Sequence, residues 1–498
     1  MRNYMLEIIV FICGAVVMIL ELVGSRILAP YLGTSIIVWT SLIGIILGSL
    51  SLGYWWGGKI ADRNPSYKIF SLIIFISAVI IALITSLKSF VLGFVQNNIS
   101  HFYAGTIVAT LILFAPPSIV LGMTTPYAVR LKIKDLNKSG TTVGGLYAIS
   151  TIGSIAGTFL AGFFLIAYFG STKILIILSI VLVFTSIIAY VKSILAMKGI
   201  IISLLLLSLF AMSSYDAFLS KQEIIDVDTQ YNRVLICRSV DAETNRPTRV
   251  MVTNPKEIQS AVFLNDDNDL VIGYTKFYRL AGHFKPDLKD SLMIGGAGYS
   301  YPKDYLKKFS TAKLDVVEID PALTALARQY FNLKDDARLT IHHEDGRTFL
   351  NKAKKKYDVI FGDAFTSYYS LPYQLTTREA IQKMHDLLNE DGVVLVNIIS
   401  SINGEKGEFL RAEYATFQSV FPQVYLFPVA DSNNGSDVQN VMLVALKSTK
   451  KPVFRNQDNE LNGYLQHLWN KEVQMDIPLL TDDHAPVDNY ILKVIKDL

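Results

Sequence analysis

The sequence predicts a membrane α-helical bundle of about seven spans, fused to an α/β domain of the Rossmann type that is preceded by a small antiparallel β-sheet. Three observations carry this. Apolar stretches of roughly 16 to 26 residues, enough to cross about 30 Å of hydrocarbon as helix, recur through the first 215 residues. From Lys221 to Val262 apolar and polar residues alternate, as in a half-buried sheet. Beyond Pro286 apolar runs alternate with helical stretches, the pattern of a parallel sheet with crossover helices. The expected division is 1–215 for the helices, 216–285 for the small sheet, 286–450 for the Rossmann-like domain and 451–498 for a tail packing on it.

The spans fall near 8–28, 36–56, 69–87, 103–123, 143–168, 172–191 and 199–214, the last being the shortest. Tyr54, Trp55, Trp56 and Tyr103 lie near span ends, where amphipathic rings suit the headgroup zone. Gly153 and Gly157 form a small-xxx-small pair that lets two helices approach closely. The first run is followed by further spans and lacks a small-residue cleavage site, so it reads as a helix and not as a signal peptide. Basic residues collect in alternate loops: Arg2, then Lys59, Arg63 and Lys68, then Arg130, Lys132, Lys134 and Lys138, then Lys192 and Lys198. By the positive-inside rule the N-terminus is cytoplasmic, the protein is a multi-pass component of the cell membrane, and seven crossings put the second half on the outside.

The net charge of +3 and the scatter of Lys and Arg exclude a nucleic-acid partner from the expectations. Two cysteines, Cys13 and Cys237, give neither a disulfide framework nor a cysteine metal cluster. Glu21 lies inside the first span, where an ionisable group is costly; it reads equally as a functional residue or as a partner for a neighbouring helix or Arg26. The segment Gly57-Gly58-Lys59-Ile60-Ala61-Asp62-Arg63 resembles the loop between the second and third helices of major facilitator transporters, although a tight charged turn explains it as well.

In the second half the first strand, Ser291–Ile294, runs into Gly295-Gly296-Ala297-Gly298, a turn that lets backbone amides approach a ligand. The next strand ends in Glu318, about twenty residues past the glycines, the position from which a carboxylate reaches ribose hydroxyls. A third strand, Leu339–His342, leads to Glu344-Asp345-Gly346-Arg347, and a fourth, Asp358–Phe361, to Gly362-Asp363. Each acid alone could be a helix cap; three at successive strand ends line one crevice.

This series, with Val317-Glu318-Ile319-Asp320 and Tyr357-Asp358-Val359-Ile360, resembles the spermidine synthase family, polyamine aminopropyltransferases of methyltransferase-like fold, over roughly residues 225 to 450. Glu21, Arg26, the Gly57–Arg63 segment, Leu371-Pro372, Thr376-Thr377-Arg378-Glu379 and Leu480–Val487 are similar to the bacterial group in which such a domain is fused to transmembrane helices. The resemblance implies an enzyme that uses S-adenosylmethionine or its decarboxylated form as donor, without a metal. It implies that Glu318 holds the ribose and Asp345 the adenine amino group. Gly295, Gly296, Gly298 and Gly346 would lie against the nucleoside, and Asn232, Gln259 and Tyr274 would close the pocket. Asp363 would be the catalytic carboxylate. The expected partners are the lipid bilayer and a small-molecule amine or other acceptor, with a homodimer left open.

Two departures bear on the acceptor. Gly298 stands where the family carries an aspartate that contacts the aminopropyl group, and Thr366 where a second acid helps bind the diamine. Two alternatives therefore stay open: a methyltransferase-like or sulfonium-cleaving enzyme with another acceptor, and a transporter or sensor whose nucleoside-binding domain does not turn over. Asp482, Asp483 and His484 suggest docking or capping more than a metal site, no second histidine standing at ligand spacing.

Overall fold

A computed structural model describes residues 4–33, 35–99, 101–133, 135–191, 223–254, 257–265, 269–364 and 372–495. The expected seventh span, Thr366 and Leu371 lie outside the described residues. The chain divides into two units, Met1–Arg233 and Val234–Leu498.

Five helices of the first unit are long and apolar enough to span a membrane: α1 (Met5–Leu32), α2 (Ile36–Arg63), α3 (Tyr67–Asn98), α6 (Ser139–Tyr168) and α7 (Ser171–Ala189). The fourth expected span is broken into α4 (Phe102–Leu113) and α5 (Ala115–Lys132), which meet at 48°. Pro116 and Pro117 sit at that break, where a missing amide and a fixed φ favour a helix start over a helix interior. The Gly57–Arg63 segment is not a loop. It is the last turns of α2, and Gly57 is needed there because a Cβ would come within 2.6 Å of the Met123 backbone. Gly153 and Gly157 do let two helices approach: an added Cβ would lie 2.1 Å from the Phe11 carbonyl oxygen and 2.5 Å from that of Ala15. Arg26 does not pair with Glu21; its guanidinium donates to the carbonyls of Thr229 and Gln230.

Polar contacts mark the two ends of this bundle. At one end Lys132 pairs with Glu7, Arg130 lies 3.2 Å from Asp62, and the Tyr127 hydroxyl donates to the Asn64 carbonyl at 2.6 Å. At the other, Asp228 accepts from the Ser171 amide at 3.0 Å and Lys88 donates to the Thr172 hydroxyl at 2.5 Å. Composition changes near residue 215, but packing changes only after Arg233, because Asp228–Gln230 are held by the helices.

The small sheet has the order β1 (Ile225–Asp228), β2 (Arg233–Val240), β3 (Pro247–Asn254), β4 (Glu257–Phe263). Met251 pairs with Ser260 and Val252 with Ile258, so Gln259 is the extra residue of a bulge. A short helix, α8 (Gly273–Phe277), precedes the main sheet.

That sheet alternates strand and helix: β5 (Asp290–Ile294), α9 (Ser300–Lys308), β6 (Lys313–Val317), α10 (Pro321–Tyr330), β7 (Leu339–His342), α11 (Gly346–Lys352), β8 (Tyr357–Gly362), α12 (Arg378–Leu387), β9 (Leu388–Ser400), α13 (Glu408–Gln418), β10 (Gln423–Pro428) and β11 (Gln439–Leu446). The spatial order is β10-β11-β9-β8-β5-β6-β7, parallel from β9 to β7, with β10 and β11 antiparallel. From β5 the chain moves first outward to β6 and β7, then returns to β8 and β9 on the other side. The crevice between β5 and β8 is thus a topological switch point, where doubly wound sheets bind ligands at the carboxyl ends of their strands. One sheet face, with Leu292, Ile360, Val394 and Leu443, packs on Ile381, Phe409 and Leu410 of α12 and α13. Methylene and ring burial of that kind contributes about 25 cal/mol per Å² removed from water.

Candidate active site

The glycine turn that follows β5 has an unusual backbone. Gly295 has φ +98°, and the non-glycine residues Ala297 and Tyr299 also lie at positive φ, +43° and +56°. An added Cβ on Gly295 would fall 2.7 Å from the Asp363 carbonyl oxygen, so only glycine lets the ends of β5 and β8 close on each other. The Asp363 amide completes that closure by donating to the Ile294 carbonyl at 2.9 Å.

Glu318, just past β6, fastens the turn. One carboxylate oxygen accepts from the amides of Gly296 and Ala297, both at 2.9 Å, and the other from the Asp320 amide at 2.9 Å. Burial raises the pKa of this carboxyl against those three bonds. Asp345 caps α11 by accepting from the Thr348 amide at 2.8 Å, and Gly346 beside it sits so close to β5 that a Cβ would lie 2.8 Å from Ile294 Cγ2. Gly298 donates its amide to Ser260 Oγ at 3.0 Å. A Cβ there would stand 2.6 Å from the Ser260 Cβ, so β4 fills the space an aspartate would need. Gln259, at the bulge beside Ser260, is half-buried.

Asp363 follows β8 and faces two tyrosines. The Tyr278 hydroxyl donates to Asp363 Oδ1 at 3.1 Å and to the Gly362 carbonyl at 2.8 Å; that of Tyr274 lies 3.5 Å from Oδ2. Burial pushes the Asp363 carboxyl up to about 7, while the two hydroxyls pull it down. Both tyrosines are held well above their usual range by burial and by the Asp363 charge, so each remains a donor. A carboxylate poised near neutrality, next to a turn built for close ligand approach, can take a proton from an incoming nucleophile.

The structure brings Gly295, Gly296, Gly298, Glu318, Asp345, Gly346, Tyr274 and Asp363 to the carboxyl ends of four strands. Asn232 is described with the first unit, where its carbonyl accepts from the Thr229 amide at 2.7 Å. Sequence reasoning missed Tyr278 and Ser260. Tyr278 stands four residues after Tyr274, one helical turn on, which was the available signal; Ser260 had none. Asp482 accepts from Arg347 at 2.9 and 2.6 Å and from the Thr377 hydroxyl at 2.6 Å, which fastens the tail to α11 and α12.

The model of the Spermine/spermidine synthase domain matches residues 276–444. A polyamine aminopropyltransferase of Vibrio vulnificus is 32% identical over 220 residues, which cover 41% of this chain and 71% of that relative. The chain belongs to the spermine/spermidine synthase family. As a family member it is a transferase. A probable polyamine aminopropyl transferase of Bifidobacterium longum is 27% identical over 239 residues, 43% of this chain and 53% of that relative. A probable spermidine synthase from Corynebacterium glutamicum overlays with a TM-score of 0.40 at 19% identity, covering 53% of this chain and 90% of that one.

Proposed function

We propose that the protein is a membrane-bound aminopropyltransferase that uses decarboxylated S-adenosylmethionine and releases methylthioadenosine. The observation that carries this is the closure of the glycine turn onto Asp363, with 2.7 Å between a hypothetical Gly295 Cβ and the Asp363 carbonyl. That closure joins a nucleoside-binding turn to a desolvated base. In this reading Glu318 also receives the ribose hydroxyls and Asp345 the adenine amino group, with Gly346 beneath the ring and Gln259 and Tyr274 at the rim.

The transfer balances simply. The acceptor nitrogen's lone pair forms a bond to the methylene attached to the sulfonium, and that carbon–sulfur bond breaks with its electron pair returning to sulfur. Neutral methylthioadenosine leaves, and the proton of the new ammonium passes to the Asp363 carboxylate. Positioning the two reactants supplies much of the rate, since a sulfonium is already a good leaving group. The test is Asp363→Asn, which keeps the shape but removes the base. Methylthioadenosine release should fall on the order of 10²–10⁴-fold while donor affinity, measured by calorimetry on the same preparation, stays nearly unchanged. Near-normal release from the variant would refute the general-base role.

For location, the helical unit supports a cell-membrane protein with the catalytic half on the side opposite its N-terminus. Glu7 and Lys132 share one end of the bundle with Ser186, whose hydroxyl bonds the Ser71 carbonyl at 2.8 Å. Asp228, by contrast, is bound at the far end of α7, to Ser171. Residues on either side of the undescribed 192–222 segment therefore lie at opposite ends of the bundle.

A further inference from the structure

Asn397 is fully buried, yet neither its Nδ2 nor its Oδ1 has a hydrogen-bond partner. A buried polar atom with no hydrogen bond carries its full desolvation cost, so an orphaned amide within the apolar run 393–399 calls for a partner that arrives from outside. Its place in the sheet says where. Gly362 of β8 pairs with Val396 of β9, so the next position along sets Asp363 beside Asn397. Side chains alternate along a strand, and Phe361 and Asp363 share the face of Leu395 and Asn397. That is the face covered by Tyr278, whose ring lies 5.5 Å from that of Phe361. On the neighbouring strand Met442 pairs with Asn397 and Asn440 with Ile399, which puts Asn440 diagonally next to Asn397 on the same face. Asn440 Oδ1 is likewise buried without a partner.

We propose that Asn397 and Asn440 form the subsite for the distal end of the acceptor, and that this subsite selects an amine bearing a neutral hydroxyl or carboxamide over one bearing a second ammonium. The proposal rests on the transfer reading given above. The argument is one of donors and acceptors. The pair offers two amide oxygens and the amide NH2 of Asn397. An ammonium donates only, so it would leave Asn397 Nδ2 unpartnered. A carboxylate accepts only and would leave both oxygens unpartnered. A hydroxyl or carboxamide both donates and accepts, and it satisfies the subsite without placing a second charge in a buried pocket.

The test uses the full-length protein in detergent micelles with decarboxylated S-adenosylmethionine as donor, and compares aminobutanol with diaminobutane, which have the same carbon chain. Wild type should show the lower KM for aminobutanol. Asn397→Leu, which removes the amide while keeping its branched outline, should raise that KM about 10- to 100-fold and erase the preference, with kcat and donor affinity little changed. The same variant should melt at a higher temperature than wild type without ligand, because a buried orphan has been removed; a purely structural amide would give a lower one. Asn440→Val should raise the aminobutanol KM by a smaller factor, and it serves if the first variant fails to fold. A wild-type preference for diaminobutane, or Asn397→Leu kinetics equal to wild type with both amines, overturns the proposal. If the donor binds and no amine releases methylthioadenosine, the transfer reading is what has failed. Calorimetry of the two amines against the methylthioadenosine complex then judges the subsite alone, and equal binding of both overturns it.

Discussion

Asp363 is the base of the proposed transfer, and its surroundings make it pH-sensitive in a definite direction. Burial raises its carboxyl to about 7, so the ionised, proton-accepting form grows as pH rises through that value. The kcat/KM profile should therefore carry a limb near pH 7 that is absent in Asp363→Asn. A bound sulfonium favours the carboxylate, so the limb in kcat should fall at lower pH. Folding follows the opposite sign. The native carboxyl holds its proton up to about 7 while the unfolded one releases it near 4, so the contribution of this one group to stability is greatest below pH 4 and declines as pH rises to 7. Thermal melts of wild type and Asp363→Asn across that window measure the difference. Gly295 gives a second expectation at this scale. Alanine there meets both a φ of +98° and the Asp363 carbonyl, and donor binding should weaken by about 1–3 kcal/mol in calorimetry. The acids Glu318, Asp345 and Asp363 were legible because each follows an apolar run. Asn397 was not, and Tyr278 only through its spacing from Tyr274, since their importance comes from what lies opposite them.

At the scale of elements, Arg279 shows how short segments are held around the site. Its guanidinium is buried and donates to Asp304 of α9 at 2.9 and 2.7 Å, and also to Glu460 of the tail. Replacing it with leucine leaves the Asp304 carboxylate buried and unpaired, which typically costs 3–5 kcal/mol. Chemical denaturation should show that loss, and the additional replacement Asp304→Leu should recover part of it; a variant as stable as wild type would refute this role. The first four strands of the doubly wound sheet, β5 to β8, were legible as apolar runs, whereas β9 to β11 were not singled out. The break between α4 and α5 and the helical end of α2 were not. The first depends on a proline pair inside an unbroken apolar run, and the second on Gly57 packing against Met123, a contact no local pattern reports.

For the whole molecule, the proposed topology rests on the basic residues of alternate loops, which resist translocation. A cysteine introduced at exposed Lys354, in a Cys237→Ser background, should react with an impermeant thiol reagent in intact cells. Protection until the cells are lysed would mean an even number of crossings and a cytoplasmic catalytic half.

The sequence by itself determined that an apolar helical half precedes a doubly wound α/β half, where its first four strands lie, and which acids follow them. These are properties of neighbours along the chain, written as hydrophobic period, turn residues and spacing. Only the tertiary structure decided that Tyr274 and Tyr278 enclose Asp363, that Ser260 occupies the room beside Gly298, and that the Asn397 amide and Asn440 Oδ1, buried without partners, share the face of Asp363. Those pairings join residues dozens to more than eighty positions apart. They depend on strand register and helix placement, which the packing of the whole domain sets collectively and no local pattern encodes.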